Sequence, residues 1–301
     1  MSWQLWALDA WLRLNEKPRL ARERSVAAER ARMEANAALA FPVPPGLWQE
    51  VRLPAAPPLA AWRLPAPAGA GVLLWLHGGA YCLGSPRTHA DLVLALARRA
   101  GTGALLPDYR LAPEHVFPAA VEDALATWAA LRAEGVPPAR IALGGDSAVG
   151  GLGFALLHIL LAAGAAVPAC VVAFSPWVDL TLSGASLRRL ARRDAFLPAA
   201  RIAEIRDQYL AGADPRDPRA SPHLGRFAGA PPVLIQASRA EILRDDARLM
   251  AARLAADGVA VALELPRAVP HVWQAYHARL PEAAAAMDRA AAFVARHLKS
   301  A

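Results

Sequence analysis

Residues 141–148 read Ile-Ala-Leu-Gly-Gly-Asp-Ser-Ala, an apolar run that passes through two glycines into a serine. The residues before the glycines have the composition of a buried strand, and those after the serine have the composition of a buried helix. A sharp turn between the two would lift the hydroxyl of Ser147 out of the backbone at the end of the strand. The stretch therefore predicts a strand, a tight turn and a helix, with an exposed serine at the turn.

Similar short apolar runs occur on both sides of this stretch along the chain. Short apolar runs divided by Gly and Pro predict eight strands, at residues 51–53, 60–64, 72–76, 103–106, 141–144, 170–174, 233–236 and 259–265. Helical patterns lie between the later runs, at residues 86–100, 119–134, 147–163, 245–257 and 282–298. This alternation predicts an α/β fold with a mainly parallel eight-stranded sheet and helices on both of its faces.

Two regions depart from the alternation and suggest a domain organisation. Residues 1–45 read as helices, and residues 180–224 contain charged helical patches followed by a loop rich in Pro, Asp and Arg. Both could cover the carboxyl edge of the sheet, where ligands bind in folds of this kind. We therefore expect a cap made of these two regions over a core made of residues 46–179 and 225–301.

The first helix carries an apolar stripe, because Trp3, Trp6, Ala10 and Leu14 follow one another at helical spacing. A second helical pattern covers residues 19–40 and ends at a proline-rich stretch. We expect the stripe to pack on the core as part of the cap. The alternative is an anchor at a lipid interface, which three nearby basic residues would assist: Arg13, Lys17 and Arg19.

Composition excludes several classes of protein. The chain has 301 residues, of which 55% are hydrophobic and 20% are charged, so it has ample material for a buried core and is not a disordered chain. The formal net charge is +7, and all but two of the 33 basic residues are arginines. They are spread over several helical segments instead of forming one basic face, so no nucleic-acid partner is expected.

The chain contains one long uncharged stretch, residues 148–174, which could cross a bilayer by length alone. Gly164 and Pro168 interrupt it, so it predicts a buried helix followed by a buried strand, and no stable membrane insertion is expected. Cys82 and Cys170 have neither metal-ligand nor disulfide spacing. As core thiols without an export signal in the sequence, they indicate a reducing, cytoplasmic compartment.

An exposed serine becomes a nucleophile when a histidine and an acid follow it in the chain. His271 comes after the last predicted strand by a short loop, where a base is required, and the other histidines are less well placed. Glu241 lies in the loop after the strand at 233–236 and is the favoured acid. Asp245 stays open as its rival, although the start of a helix favours carboxylates for other reasons.

A second motif, His77-Gly78-Gly79-Ala80, directly follows the predicted strand at residues 72–76. Its two glycines leave backbone amides unshielded by side chains, so a carbonyl oxygen can approach them closely. Together with a serine turn in the same sheet, the motif favours a site for acyl transfer over an ordinary loop.

Several motifs agree in order and spacing with one family, at residues 77–80 (HGGA), 108–115 (DYRLAPEH), 117–120 (FPAA), 144–148 (GDSA preceded by Gly), 175–177 (SPW) and 270–272 (PHV). The chain resembles the hormone-sensitive-lipase family of α/β-hydrolase esterases. The resemblance implies an α/β-hydrolase fold, Ser147 as nucleophile and His271 as base. It also implies an oxyanion hole of the amides of Gly78, Gly79 and Ala148, a structural role for residues 108–115, and no metal or organic cofactor.

The sequence departs from the family pattern at two positions. Val149 stands where the family has glycine, and it either is tolerated because Gly150 and Gly151 follow it or reshapes the substrate pocket. Glu241 stands where the family more often has aspartate.

The expected function is a serine carboxylesterase acting on short- to medium-chain esters, whose only expected partners are the ester and, as the resemblance allows, a second copy of the chain. Five residues are expected to bind substrate: Tyr81, Asp146, Val149, Trp177 and Val272. An amidase, deacetylase or lactonase of the same family is one alternative. A non-catalytic ligand receptor on this scaffold is another, although the intact His271 argues against it.

Overall fold

The computed structural model describes residues 1–56 and 58–299. Within them one sheet contains eight strands, with the bounds β1 Gln49–Leu53, β2 Leu59–Leu64, β3 Val72–Leu76, β4 Gly103–Pro107, β5 Ile141–Asp146, β6 Cys170–Phe174, β7 Val233–Gln236 and β8 Val261–Glu264. Their spatial order is β1-β2-β4-β3-β5-β6-β7-β8. The pairs β1–β2 and β2–β4 are antiparallel and the other pairs are parallel. The predicted eight-stranded, mainly parallel sheet is confirmed.

Helices cover both faces of this sheet, at α4 Pro86–Ala100, α5 Ala119–Ala133, α6 Ala148–Ala162, α9 Arg244–Ala256 and α10 Pro281–Lys299. Successive side chains of a strand point to opposite faces, and in β3 this separates two cores. Leu74 and Leu76 pack with α5, α6 and α9, whereas Leu73 and Trp75 pack with α4 and α10. All four side chains are fully buried, which explains the unbroken apolar composition of the strand.

The long uncharged stretch divides as predicted, because α6 ends at Ala162 and β6 begins at Cys170. No helix in the described part of the chain is both long enough and apolar enough to cross a membrane. Cys82 and Cys170 are buried free thiols. Burial raises the pKa of Cys82 to about 11 and that of Cys170 to about 12, so both are inert at neutral pH.

The N-terminal region consists of α1 Trp3–Trp11, a π-helical turn at Leu12–Glu16, α2 Lys17–Arg22 and α3 Val26–Ala40. The helical pattern over residues 19–40 is divided between α2 and α3. The chain becomes extended at Glu23, and the Ser25 side chain then accepts the backbone N–H of Ala28 and caps α3. Arg19 is paired with Glu16 and Glu29, which ties α2 to α3.

The apolar stripe of α1 does not pack on the core, contrary to expectation. Trp3 is 75% exposed and Trp6 is 74% exposed. Leu14, just beyond the helix, is 77% exposed. The opposite face of α1 packs against the rest of the fold. Leu5 is buried in a cluster formed mostly by residues around Trp273 and the start of α10, and Leu12 is also buried. Both faces of α1 are apolar, and the leucines are the ones that the fold buries.

The region between β6 and β7 contains short helices, α7 Ser186–Arg189 and α8 Ile202–Leu210, and two 3₁₀ turns, Ala199–Arg201 and Pro222–Leu224. It interrupts the βα alternation as the sequence indicated. Phe117 donates its backbone N–H to the carbonyl of Tyr209 at 2.9 Å, which joins α8 to the loop before α5.

Candidate active site

Ser147 occupies a sharp turn between β5 and α6, with φ 57° and ψ −133°. A non-glycine residue rarely adopts a positive φ, and such strain is concentrated at functional sites. The turn is held from β6, because the N–H of Ser147 donates to the carbonyl of Phe174 and the carbonyl of Ser147 accepts the N–H of Trp177, both at 2.8 Å. The predicted strand, turn and helix are therefore present.

Three glycines allow this turn to pack closely. A Cβ atom would lie 2.7 Å from the Val149 carbonyl oxygen at Gly145, 2.7 Å from Cβ of Pro176 at Gly150, and 2.1 Å from the Trp177 carbonyl oxygen at Gly151. The close approach of α6 thus depends on Gly150 and Gly151, not on position 149. Val149 itself is fully buried in the core. The structure therefore fits the interpretation that valine is tolerated at this position because Gly150 and Gly151 follow it.

His271 connects Ser147 to Glu241. Its Nε2 atom lies 2.9 Å from Oγ of Ser147, and its Nδ1 atom lies 2.7 Å from Oε2 of Glu241. The other carboxylate oxygen of Glu241 accepts the N–H of Ser238 at 2.7 Å. Asp245, the rival acid, instead accepts the N–H of Ser186 at 2.8 Å. The structure thus brings together the serine, histidine and favoured acid that the sequence singled out.

The surroundings of His271 control its protonation. Burial lowers the pKa of His271, but the hydrogen bond and negative charge of Glu241, with the charge of Asp194, outweigh burial and raise it above 6.5. Phe196 lies parallel to the imidazole at 6.1 Å between ring centroids. Sequence reasoning did not identify Phe196 or Asp194, because no motif marks the segment between β6 and β7.

The residue after the histidine is also strained. Val272 has φ 47°, a left-handed conformation that is an outlier for a β-branched residue. Its N–H donates to Oγ of Ser175 at 3.3 Å, and Ser175 itself has φ 47°. This bond fixes the loop that presents His271. The SPW motif contains Ser175, but no pattern in the sequence indicates this contact.

Asp146 organises the loop after β3. Its Oδ1 atom accepts the indole N–H of Trp75 and the backbone N–H of Gly78, both at 3.1 Å, and its Oδ2 atom lies 3.3 Å from Nε2 of His89. Burial raises the pKa of Asp146, but the charge and hydrogen bond of His89 and the bonds from Trp75 and Gly78 outweigh it, so the pKa lies below 3.8. Asp146 is thus a buried carboxylate that holds the glycine loop.

This arrangement changes the expected oxyanion hole. The amide of Gly78 is already hydrogen-bonded to Asp146 and is not available to a substrate. In the described part of the chain, the amides of Gly79 and Ala80 donate to no protein acceptor, and Ala148 occupies the first position of α6, where an amide has no partner within the helix. The amides left without a protein acceptor are therefore those of Gly79, Ala80 and Ala148, a set displaced by one residue in the glycine loop from the one that the resemblance implied.

The motif at 108–115 has the structural role that was expected. The hydroxyl of Tyr109 donates to the carbonyl of His77 at 2.7 Å, and its ring stacks on that imidazole at 4.3 Å. Arg110 pairs with Asp123 on α5. These bonds fasten the glycine loop to the body of the fold.

Known proteins agree with this architecture. A family model described as the alpha/beta hydrolase fold matches residues 73–275. An acetyl-hydrolase of Streptomyces hygroscopicus is 45% identical over 235 residues, which cover 78% of this chain and 79% of that protein. The crystal structure of an esterase from the bacterial hormone-sensitive lipase family has 39% identity, a TM-score of 0.89 and 99% coverage of both chains. The chain belongs to the hormone-sensitive-lipase family of α/β hydrolases.

This hormone-sensitive-lipase-family protein is an ester-hydrolysing serine hydrolase. An esterase of Acinetobacter venetianus is 34% identical to it over 233 residues, covering 77% of each chain. An ethyl acetate hydrolase of Pseudomonas putida is 37% identical over 214 residues, covering 69% of this chain and 67% of that protein.

The esterase has a cavity of about 760 Å³ that reaches Ser147 and His271. Of the five residues expected to bind substrate, three line it: Asp146, Trp177 and Val272. The other two do not, and both are corrections. Tyr81 is buried and stacks on Tyr209 at 3.8 Å between ring centroids, and Val149 faces the core.

Much of the cavity wall comes from outside the sheet and was not predicted residue by residue. The N-terminal region contributes Trp11, Leu20, Val26, Met33 and Ala37, and the segment between β6 and β7 contributes Phe196, Leu197, Ile202 and Ile205. These nine side chains are apolar, which suits the acyl and alcohol groups of an ester. The same two regions also line the cavity with charged side chains, among them Glu16, Arg19, Glu29, Arg32 and Arg201. Only their position over the carboxyl edge of the sheet could be anticipated.

Proposed function

We propose that this esterase hydrolyses short- to medium-chain carboxylic esters through Ser147, His271 and Glu241. The observation that carries the proposal is the continuous chain of hydrogen bonds, 2.9 Å from Ser147 to His271 and 2.7 Å from His271 to Glu241. A nucleophile that contacts a base, which in turn contacts a buried acid, is the arrangement that activates a serine hydroxyl.

In acylation, Nε2 of His271 takes the proton of the Ser147 hydroxyl while Oγ bonds to the ester carbonyl carbon. The carbonyl oxygen becomes an oxyanion, which the amides of Gly79, Ala80 and Ala148 stabilise by hydrogen bonds. The bond to the alcohol oxygen then breaks, and the leaving alkoxide takes the proton from His271. Ser147 remains bonded to the acyl group.

In deacylation, His271 takes a proton from water, and the resulting hydroxide attacks the acyl carbon. The bond to Oγ of Ser147 breaks, the serine recovers a proton from His271, and the carboxylic acid is released. Glu241 keeps the Nδ1 proton in place and stabilises the imidazolium in both halves of the cycle. This use of His271 weighs against the receptor alternative.

The two regions outside the sheet serve, in this proposal, as a cap over the cavity. The cap consists of residues 1–45 and 180–224, and the catalytic core consists of residues 46–179 and 225–301. The apolar side chains that both regions contribute to the cavity support this division. Two buried, unpaired thiols support a cytoplasmic location. A homodimer through an edge of the sheet stays a prediction, to be tested by light scattering of the purified protein.

The decisive experiment measures hydrolysis of p-nitrophenyl esters from acetyl to dodecanoyl by the wild type and by Ser147→Ala. We expect kcat/KM to be highest for short or medium chains and to fall by about 10⁴-fold or more in the variant. Asp245→Asn is the matched control and should retain wild-type activity. Undiminished activity in a folded Ser147→Ala protein would refute the proposed nucleophile.

A further inference from the structure

Helix α1 exposes an unusual amount of apolar surface. In the described part of the chain, seven large apolar side chains are exposed, and five of them belong to the first 14 residues: Met1, Trp3, Trp6, Trp11 and Leu14. The inner face of α1 already supplies the contacts that hold the helix to the fold. Packing within this chain therefore does not explain why the outer face of α1 carries tryptophans. An exposed apolar patch of this kind marks an interaction surface.

A group of exposed arginines lies beside this apolar face. Arg188, Arg189, Arg192 and Arg193 are exposed, and none forms an ion pair with the described residues. The guanidinium of Arg13 donates to the backbone carbonyls of Arg192 and Arg193 at 3.0 and 2.5 Å, so this segment is attached to the π-helical turn that follows α1. Arg13 thus places the apolar side chains of the N-terminal region next to the segment that carries the four arginines.

The first two basic residues that follow α1 in the sequence, Arg13 and Lys17, are already bonded within the chain. Arg13 forms an ion pair with Asp9 at 2.6 Å, and Nζ of Lys17 donates to the carbonyls of Ala191 and Asp194 at 2.6 and 2.5 Å. These bonds hold α1 and the turn after it against the arginine segment. The four unpaired arginines of that segment therefore remain available to a partner.

We propose that this face docks on an anionic lipid–water interface. Indole rings prefer such an interface because they are apolar with one polar N–H, and arginines beside them would pair with anionic headgroups. At nine residues, α1 is about 14 Å long, so it would lie in the interface and not cross it. We call the surface the docking face, made of Met1, Trp3, Trp6, Leu14, Arg188, Arg189, Arg192 and Arg193.

The docking face adjoins the cavity that contains Ser147. Trp11, which is 48% exposed, belongs to the same helix and also lines the cavity. Docking would therefore bring the cavity mouth to the interface, where apolar esters concentrate. The surface thus points to esters dissolved in lipid as a source of substrate.

The test is flotation of the full chain with vesicles of phosphatidylcholine alone and of phosphatidylcholine with an equal amount of phosphatidylglycerol. We expect binding to the anionic vesicles, a blue shift of tryptophan emission, and release by about 0.5 M NaCl, which screens surface charge. Trp3→Ser/Trp6→Ser should weaken the partition coefficient about tenfold or more. Arg192→Gln/Arg193→Gln should weaken it by roughly 25-fold, since each arginine contributes about fivefold.

Two controls use exposed residues outside the docking face. Leu39→Ser/Leu224→Ser removes apolar surface and Arg98→Gln/Arg216→Gln removes charge, and both should bind like the wild type. Turnover of a water-soluble ester should be unchanged in Trp3→Ser/Trp6→Ser, which verifies folding. The proposal is overturned if the wild type does not bind anionic vesicles, if the controls lose binding equally, or if the tryptophan variant only converts a dimer into a monomer.

Discussion

The carboxylate of Asp194 accepts the backbone N–H of Ile242 at 2.8 Å through its Oδ2 atom. Ile242 directly follows Glu241, and the other oxygen of Asp194 accepts the amides of Phe196 and Leu197 at 2.8 and 2.9 Å. One buried side chain thus joins the segment that lines the cavity to the loop that carries the proposed catalytic acid. A rearrangement of the segment between β6 and β7 would therefore change the position of Glu241.

This link can be tested with Asp194→Asn. The variant keeps one oxygen acceptor but loses the charge that helps to raise the pKa of His271. We expect the acidic limb of the kcat/KM profile to move to lower pH by less than one unit, since Glu241 remains. Asp207→Asn, at an exposed position of α8, should leave the profile unchanged. A profile identical to that of the wild type would show that the charge of Asp194 does not reach the histidine.

Glu241→Gln should have a larger effect of the same sign. His271 acts as a base only when neutral, so kcat/KM rises as pH increases through its pKa, which Glu241 raises above 6.5. Removing the carboxylate charge lowers that pKa and moves the limb to lower pH, while the plateau falls by about 10³–10⁴-fold because the imidazole loses its partner. Asp245→Asn should change neither quantity. A loss confined to Asp245→Asn would reassign the acid.

Gly78→Ala should damage the oxyanion hole without touching the triad. A Cβ atom at Gly78 would lie 2.0 Å from Oδ2 of Asp146, so either the carboxylate or the loop must move. We expect kcat to fall by about 10²-fold or more, as when an oxyanion donor is lost. Ala80→Gly is the matched control. It relieves a positive φ of 56° and should keep kcat within a few-fold of the wild type.

Val149→Gly should affect stability and not specificity. The side chain is fully buried in the core, and its removal adds a cavity and a glycine to α6. Urea denaturation should show a loss of about 2–4 kcal/mol in the free energy of unfolding, with a smaller loss for Val149→Ala. Acyl-chain preference on p-nitrophenyl esters should match the wild type. A changed preference would favour the pocket-reshaping interpretation.

Asp246 offers a test of buried charge. Burial and the charge of Asp179 raise its pKa well above 3.8, and its Oδ1 atom accepts the amides of Val178 and Asp179 at 3.0 Å. Because the folded state holds this proton more tightly than the unfolded state, the contribution of Asp246 to stability falls as pH rises above about 4.

Asp246→Asn keeps the acceptor and removes the charge. We expect it to exceed the wild type in stability at pH 8 and to approach it near pH 4. Asp246→Ala should lose about 1–3 kcal/mol because two buried amides become unpaired. Thermal unfolding at both pH values measures these differences. An Asp246→Asn protein that is less stable than the wild type at pH 8 would contradict a raised pKa for Asp246.

The sequence was sufficient to predict the sheet, because buried parallel strands are continuous apolar runs whose order along the chain can be read directly. It also predicted that Ser147 lies at a turn between a strand and a helix and that His271 lies in a loop after a strand, since both are local features. It also favoured Glu241 over Asp245, because Asp245 belongs to a helix start that explains a carboxylate without catalysis.

Only the tertiary structure decided which surfaces meet. Both faces of α1 carry apolar residues, and helical spacing cannot tell which one finds a partner, so the prediction chose Trp3 and Trp6 where the fold buries Leu5 and Leu12. In the same way, the amide of Gly78 is excluded from the proposed oxyanion hole because it donates to a carboxylate 68 residues away in the chain. Local pattern determines which elements form, whereas burial and hydrogen-bond pairing depend on residues that only folding brings together.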